Sequence, residues 1–167
     1  MHQQSMVSMR EALTQIRAIF PPPAGVLDLG SQDINGHYGD LVRELGYHYT
    51  GADLVEGRNV DVVMTSPLRL PFGDRAWEIV ISGQMLEHCE NPWVMVREMG
   101  RVLKVGGFLV INTHSAFPEH RFPKDYWRFM ADGIEALFDG AGVLGEYQIR
   151  YITYHHTDIQ GIARRVQ

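Results

Sequence analysis

Short apolar runs alternate along this chain with segments whose apolar residues recur every three or four positions. The apolar runs have the length of buried strands, and they cover residues 24–30, 47–53, 60–64, 77–82 and 108–112. Between them, residues 38–45 and 93–103 have the spacing of helices with one apolar face. Strands that alternate with helices predict a parallel sheet that is covered by helices on both faces.

The first segment predicts a helix that precedes the sheet. Ser8 followed by Glu11 fits a capping box, and apolar residues at positions 9, 13, 16 and 20 recur at helical spacing. Three prolines at positions 21–23 then end this helix, because proline lacks an amide donor and disfavours helix in the residue before it. We expect one domain over residues 1–167, with residues 1–23 as the leading helix and proline break and residues 24–167 as the α/β core.

Residues that favour helix ends mark the limits of two later helices. Asn91 followed by Pro92 places a capping side chain and a first-turn proline before the helix over 93–103. Asp132 with Glu135 fits a second capping box, and glycines at positions 140 and 142 predict the end of that last helix.

The end of the chain predicts two strands, over residues 147–154 and 159–166, with a short polar turn between them. A parallel return would need a crossover of about a dozen residues, so these two strands must be antiparallel. The complete pattern predicts a Rossmann-like, doubly wound α/β fold. We expect seven strands, mostly parallel, with a C-terminal antiparallel hairpin.

Composition and charge narrow the class of partner. The 167 residues are 45% hydrophobic and 21% charged, and their formal net charge of -5 disfavours broad electrostatic contact with nucleic acid. The single cysteine, Cys89, excludes an internal disulfide framework. Apolar runs are too short to cross a bilayer, and the start does not resemble a signal peptide. We therefore expect a cytoplasmic protein with neither nucleic acid nor a membrane as partner.

Candidate chemistry lies where the predicted strands end, because parallel sheets bind ligands beyond the carboxyl ends of their strands. The first two strands end in Asp28 and Asp53, and a carboxylate at the second position can accept hydrogen bonds from both hydroxyls of a ribose. Gly30 begins a loop that lacks the second glycine of a dinucleotide site and that carries Asp33, which would repel a pyrophosphate. These residues favour an uncharged or cationic nucleoside, such as S-adenosylmethionine, over NAD.

Four segments, in the right order, resemble class I S-adenosylmethionine-dependent methyltransferases of the small, type 11-like group. They are residues 26–30 (VLDLG), 70–80 (LPFGDRAWEIV), 86–88 (LEH) and 101–107 (RVLKVGG). Residues 125–129 (DYWRF) further resemble an element of small members of this group, several of which lie among glycan-modifying genes. The resemblance implies S-adenosylmethionine as cofactor and a small-molecule, sugar or glycan-linked methyl acceptor.

The resemblance also implies roles for individual positions. Asp28 and Gly30 match the loop that holds the methionine moiety, and Asp53 matches the ribose-binding acid. The usual Gly-x-Gly is replaced by Gly30-Ser31-Gln32, and Ser66 stands where many relatives have an acid that contacts the adenine amino group. The predicted cofactor-binding residues are Asp28, Gly30, Ser31, Gln32, Asp53, Leu54, Ser66 and Gln84.

Three histidines are candidates for taking a proton from the methyl acceptor. His88, His114 and His120 follow the ends of two central strands, and a histidine titrates near neutral pH. The spacing of His114, His120 and Asp125 matches no helical metal pair, so we predict no metal site.

The loop after the strand at 108–112 predicts a substrate pocket with Tyr126, Trp127 and Arg128 along its wall. The same aromatic residues are also compatible with simple packing under the last helix.

The sequence thus favours an S-adenosylmethionine-dependent methyltransferase, a monomer or a homodimer. Two alternatives stay open. One is a non-catalytic cofactor-binding or scaffold protein that retains the fold, and the other is a nicotinamide-dependent enzyme.

Overall fold

The computed structural model describes residues 3–153, 155 and 157–167. Seven strands form one sheet: β1 (Gly25–Leu29), β2 (His48–Asp53), β3 (Val62–Val63), β4 (Trp77–Gly83), β5 (Leu103–His114), β6 (Leu144–Tyr151) and β7 (Asp158–Arg165). Four α-helices accompany them: α1 (Gln3–Ile16), α2 (Gly39–Glu44), α3 (Pro92–Val102) and α4 (Ala131–Ala141). A 3-10 turn, Leu86–His88, follows β4.

The strand order confirms the predicted doubly wound topology. The sheet runs β3-β2-β1-β4-β5-β7-β6. Neighbouring strands among the first five are parallel, whereas β7 is antiparallel to both β5 and β6. Within the described residues, no helix is long and apolar enough to span a bilayer.

Alternating side chains of the central strands supply the two faces of the core. On one face, Val26, Ile79 and Val110 pack with α1 and α2. On the other face, Leu27, Val80 and their neighbours pack with α3 and α4. Because successive side chains of a strand point to opposite faces, uniformly apolar strands require helices on both sides of the sheet.

The leading helix begins earlier than the capping box predicts. Helix α1 already contains Gln3, and Ser8 lies inside it, where its hydroxyl donates to Ser5 O at 3.1 Å. The helix ends at Ile16, before Phe20. Ser5 and Ser8 are buried, so their hydroxyls face the sheet and do not cap the helix.

The two later helices test the same capping rule with different outcomes. Asn91 caps α3 as predicted, and its Oδ1 accepts from Val94 N at 3.3 Å. The second capping box is wrong, because Met130 precedes α4 without a side-chain cap and Asp132 lies within the first turn. The predicted helix end is confirmed by Gly142, whose φ of 73° is left-handed.

Several strand limits also differ from the prediction. Strand β3 has only two residues, and β5 extends through Gly106 and Gly107 to a length of 12 residues. Strands β6 and β7 begin before the predicted limits, and residue 154, which the prediction included, lies outside the described residues. Gly107 has no room for a side chain, because an added Cβ would lie 2.7 Å from Glu78 O on the neighbouring strand.

Asn112 joins the sheet to the helices on one face. It is fully buried near the end of β5, and its amide nitrogen lies 3.0–3.1 Å from the hydroxyls of Ser5, Ser8 and Tyr38. Its Oδ1 accepts from Gln160 Nε2 of β7 at 2.9 Å. One amide therefore connects α1, the residue before α2, and β7.

We expect Asn112→Ala to lower the free energy of unfolding by about 1–3 kcal/mol, because it leaves buried polar groups without a partner. We also expect faster amide hydrogen exchange in α1. Urea unfolding and exchange mass spectrometry measure the two effects, with Gln15→Ala on the exposed face of α1 as control. Unchanged exchange in α1 would show that the apolar contacts alone hold the helix.

Candidate active site

The carboxyl ends of β1, β2, β4 and β5 meet at one edge of the sheet, which we call the carboxyl edge. After β1 the chain builds outward through β2 and β3, and it then returns to β4 on the other side of β1. The strand order therefore reverses between β1 and β4. Such a reversal opens the crevice in which sheets of this topology bind their ligands.

Asp28 lies at this reversal and is buried within β1. Tyr49 of β2 donates its hydroxyl to Asp28 Oδ2 at 2.8 Å. Burial raises the pKa of Asp28 to about 7. The hydrogen bond from Tyr49 lowers this pKa, and the charge of Asp53 raises it further. Asp28 is thus a carboxyl group whose charge depends on pH near neutrality.

The loop after β1 folds over the end of β2. Gly30 has a φ of 76° and donates its amide to Ala52 O at 3.0 Å. The amide of Gln32 donates to Asp53 Oδ2 at 3.0 Å. The hydroxyl of Ser31 is buried over Gly51 and has no hydrogen-bond partner among the described residues. These contacts bring Asp28, the loop and Asp53 to one place, as the sequence predicts.

Asp53 is half-buried and retains capacity to accept further hydrogen bonds. Its Oδ2 accepts from Gln32 N, and its Oδ1 accepts from Val55 N at 3.3 Å. A carboxylate has about four acceptor positions, so each oxygen can take another donor. Leu54, the next residue, is 46% exposed and offers an apolar surface beside it.

The charge of Asp33 is compensated within the same loop. Its Oδ2 lies 3.4 Å from Arg58 Nε and 3.9 Å from His37 Nε2, and its Oδ1 accepts from Gly36 N at 2.9 Å. Ser66 is partly buried, and its hydroxyl oxygen accepts from Leu68 N at 3.2 Å. Asp33 is therefore paired within the protein, whereas Ser66 retains its hydroxyl proton as a donor.

Gln84 follows β4 with a φ of 51°, and its side chain connects two other elements. Its Nε2 donates to Asp158 Oδ1 at 3.3 Å, and its Oε1 accepts from Ser5 Oγ at 3.3 Å. Gln84 thus lies at the predicted edge of the sheet, but its amide contacts β7 and α1.

The three candidate histidines lie together at the end of β5. The ring centroid of His120 is 4.9 Å from that of His88 and 5.0 Å from that of His114. His114 is buried, stacks on Phe117 with a centroid distance of 4.3 Å, and lies with Nδ1 2.5 Å from Asp158 Oδ1. His88 and His120 are partly exposed, and His88 Nδ1 lies 2.6 Å from Lys124 O.

Arg128 organises the loop that carries His120. It binds both carboxylate oxygens of Asp125 at 2.6 Å, and it donates to the carbonyls of Phe117, Pro118 and Trp127. The Arg128 guanidinium holds the pKa of the Asp125 carboxyl far below its usual range. The guanidinium predicted to bind substrate therefore makes five contacts within its own loop.

Trp127 and Tyr126 have different surroundings. Trp127 donates its ring nitrogen to Cys89 O at 2.9 Å and packs edge-to-face on Trp93 at a centroid distance of 5.4 Å. Tyr126 is 37% exposed, and Lys124 Nζ lies 5.7 Å from the centre of its ring. Of the two aromatic residues, Tyr126 is the one that presents its ring to solvent.

Two buried carboxylates beside the histidines are missing from the predicted site. Glu87 is fully buried, although its position in the turn after β4 favours a solvated helix start, and its Oε2 accepts from Thr113 Oγ1 at 2.7 Å. Asp158 is also buried at the first position of β7. The strand that Asp158 begins also contains Gln160, Arg164 and Arg165, so its sequence pattern does not mark this acid as buried.

We expect the pH dependence of stability to differ between the wild-type chain and Asp28→Asn. Because the pKa of Asp28 is raised to about 7 by folding, the folded state holds this proton in a range where the unfolded chain, with a pKa near 3.8, has lost it. The wild-type free energy of unfolding should therefore fall relative to Asp28→Asn as pH rises from about 4 to about 7, by at most about 4 kcal/mol, and then level off. Urea unfolding at pH 5, 6, 7 and 8 measures this difference, and parallel profiles would contradict it.

We expect Arg128→Lys to loosen the loop over residues 115–129 while the sheet stays folded. Lysine keeps the charge but cannot form the bidentate hydrogen bonds with Asp125. Trypsin should then cleave at Arg121 or Lys124, both exposed, several-fold faster. Arg121→Lys, which changes an exposed arginine of the same loop, is the control. Equal cleavage rates in both variants would show that Arg128 does not hold the loop.

Comparison with known proteins agrees with this geometry. A family model described as a methyltransferase domain matches residues 27–111. An uncharacterized methyltransferase of Mycobacterium leprae (strain TN) is 31% identical over an alignment of 105 positions that covers 54% of this chain and 38% of the relative. Another, of Mycolicibacterium gilvum, is 31% identical over an alignment of 98 positions that covers 52% of this chain and 38% of the relative. The chain thus spans well under half the length of these curated relatives.

Solved structures share the fold at low sequence identity. A 1,6-didemethyltoxoflavin-N1-methyltransferase of Burkholderia thailandensis, with S-adenosylhomocysteine bound, has a TM-score of 0.74 and 18% identity, covering 97% of this chain and 80% of that one. A Haemonchus contortus phosphoethanolamine N-methyltransferase has a TM-score of 0.72 and 14% identity, covering 94% and 52%. The family match covers half of the chain, including Asp28, Asp53 and the crevice between β1 and β4. From this match, the strand order and the crevice, we conclude that the chain belongs to the class I S-adenosylmethionine-dependent methyltransferases.

Proposed function

We propose that this chain binds S-adenosylmethionine at the crevice between β1 and β4 and catalyses methyl transfer to a small-molecule acceptor. The arrangement of Asp53 carries this proposal. Its half-buried carboxylate ends β2 beside the Gly30 loop, and each of its oxygens can still accept a hydrogen bond. S-adenosylmethionine supplies an electrophilic methyl group on a sulfonium centre.

The residues of the crevice fit such a cofactor. Asp53 would accept from the ribose hydroxyls, while Leu54 offers an exposed apolar surface for the adenine. The carboxyl group of Asp28 would favour the cationic methionine end of the cofactor over an anionic ligand. The backbone of Gly30 bends the loop through a left-handed conformation, and an added Cβ there would lie 2.6 Å from the side chain of Met85, which follows β4.

The acceptor would enter at the end of β5, beside the candidate histidines. Phe122 is 52% and Tyr126 37% exposed on the loop that also carries His120. An exposed aromatic ring can stack on the apolar face of a sugar, which supports a sugar or glycan-linked acceptor. Proton removal by His88, His114 or His120, and substrate contact by Trp127 and Arg128, stay predictions.

Helix α1 contributes to the acceptor side in this proposal. An open groove of about 400 Å³ lies between α1 and the end of β6, lined by residues that include Gln4, Ser8, Glu11, Arg150 and Tyr151. Strand β6 runs in the same direction as β5, so Tyr151 lies toward the carboxyl edge. A polar groove at this edge suits a hydroxyl-rich acceptor.

We expect calorimetric titration to show binding of S-adenosylmethionine and S-adenosylhomocysteine that Asp53→Asn weakens about 10- to 100-fold. The loss corresponds to about 1.5–3 kcal/mol, the usual contribution of hydrogen bonds to a charged group. Glu56→Gln is the matched control, because it removes an equal charge from an exposed position three residues further along the chain.

Two outcomes would contradict this proposal. Equal losses in Asp53→Asn and Glu56→Gln would mean that charge, and not the ribose contact, governs affinity. No binding of either ligand would favour a scaffold that keeps the fold without the cofactor. If binding is present, release of S-adenosylhomocysteine across a panel of sugars and sugar-linked compounds tests the acceptor class.

A further inference from the structure

Three side chains of metal-ligating type converge at the end of β5. They are Glu87 in the turn after β4, His114 at the last position of β5, and His120 in the following loop, and one ligand atom from each lies within 4.8 Å of the others. We propose that this cluster is a binding site for a divalent zinc-type metal ion. The prediction of no metal site rested on the spacing of the histidines with Asp125, whereas the fold brings in Glu87 instead.

Glu87 carries the strongest part of this inference. Its side chain is completely buried, and its Oε1 has no hydrogen-bond partner among the described residues. A buried carboxylate oxygen is unfavourable unless the group is protonated, accepts a hydrogen bond or binds a cation, and a cation is the option that also engages the two histidines. The same Oε1 lies 3.4 Å from His114 Nε2. Two ligands that each lie about 2.0–2.2 Å from a tetrahedral zinc ion are about 3.4 Å apart.

The contacts behind these ligands are also those of a metal site. A histidine that binds a metal almost always donates its other ring nitrogen to a carboxylate or a carbonyl. His114 Nδ1 lies 2.5 Å from Asp158 Oδ1. His120 Nδ1 lies 3.3 Å from Pro118 O and 3.4 Å from Asp125 Oδ2, which leaves its Nε2 as the ligand atom.

Among the described residues, the balance of charge around His114 favours a divalent cation. Glu87 and Asp158 are both buried, and they lie on opposite nitrogens of the same imidazole. The nearby Arg128 is already paired with Asp125. The competing arrangement is a His114 that carries protons on both nitrogens and donates one to each carboxylate, which needs no metal and offsets only one of the two charges.

Three protein ligands leave one coordination position open. Catalytic zinc sites use this number of ligands and bind water or substrate in the fourth position. His120 is partly exposed, so the open position would face the loop where the acceptor is proposed to enter. That use of the metal rests on the proposed function, but metal binding itself does not.

The experiment titrates chelator-treated, desalted protein with Zn²⁺ by calorimetry and with Co²⁺ by visible absorption, in the absence of S-adenosylmethionine. We expect one ion per chain and the intense absorption of a four-coordinate Co²⁺ site. His120→Ala should weaken binding at least about 100-fold, and Asp158→Asn, behind the ligand, about 10- to 100-fold. His48→Ala, at an exposed position on β2, is the control and should bind as the wild-type chain does.

Several results would overturn the site. They are the absence of binding, binding that His120→Ala leaves unchanged, and an equal loss in His120→Ala and His48→Ala. Glu87→Gln tests the buried ligand, and because it can impair folding, His120→Ala on the exposed loop decides the outcome alone. Cofactor binding is measured separately, so a protein that binds S-adenosylmethionine but no metal would contradict only the metal site.

Discussion

Buried carboxylates at the carboxyl edge of the sheet impose the constraint on which the rest of this structure depends. Asp28, Glu87, Asp158 and the side chain of Asp125 are all shielded from solvent there. Each must be protonated, hydrogen-bonded or paired, because burying an uncompensated charge is costly. Tyr49 of β2 donates a hydrogen bond to Asp28, and Thr113 of β5 donates one to Glu87. The loop residue Arg128 forms an ion pair with Asp125. The compensating groups come from different elements, so each carboxylate also fixes how those elements meet.

The same edge separates into two regions with different chemistry. On the side of β1 and β2, Asp28 and Asp53 lie beside a loop whose Gln32 amide donates to Asp53. The two carboxyl groups suit a cationic nucleoside. On the side of β5 and β7, histidines and carboxylates form a dense cluster, which suits proton transfer or a metal. Strand β4 lies between these two regions of the sheet. Gln84 and Glu87 both follow β4 within one short turn.

The sequence predicts the fold well because its main signals are local and strong. Uniformly apolar strands, Asn91 before Pro92, and the short turn between the last strands each have one good structural interpretation. The capping box at Ser8 fails because α1 begins before it and the Ser8 hydroxyl accepts from Asn112 of the sheet instead. The capping box at Asp132 fails because this residue lies inside the first turn of α4. The convergence of Asp28, Asp53 and the Gly30 loop was predictable from acids at strand ends. Glu87 and Asp158 were not, because their burial depends on packing between elements that are distant in the chain.

Gln84 connects the histidine side of the carboxyl edge to the leading helix. Its amide contacts Asp158, which holds His114, and Ser5 of α1, which in turn contacts Asn112. A ligand that displaces the Gln84 side chain would therefore remove a donor from Asp158 and an acceptor from Ser5 at once. Because a buried polar network is stable only when its members stay paired, both changes would have to be compensated by the ligand or by movement of α1. Helix α1 is thus connected to the candidate site by hydrogen bonds, in addition to its apolar packing on the sheet.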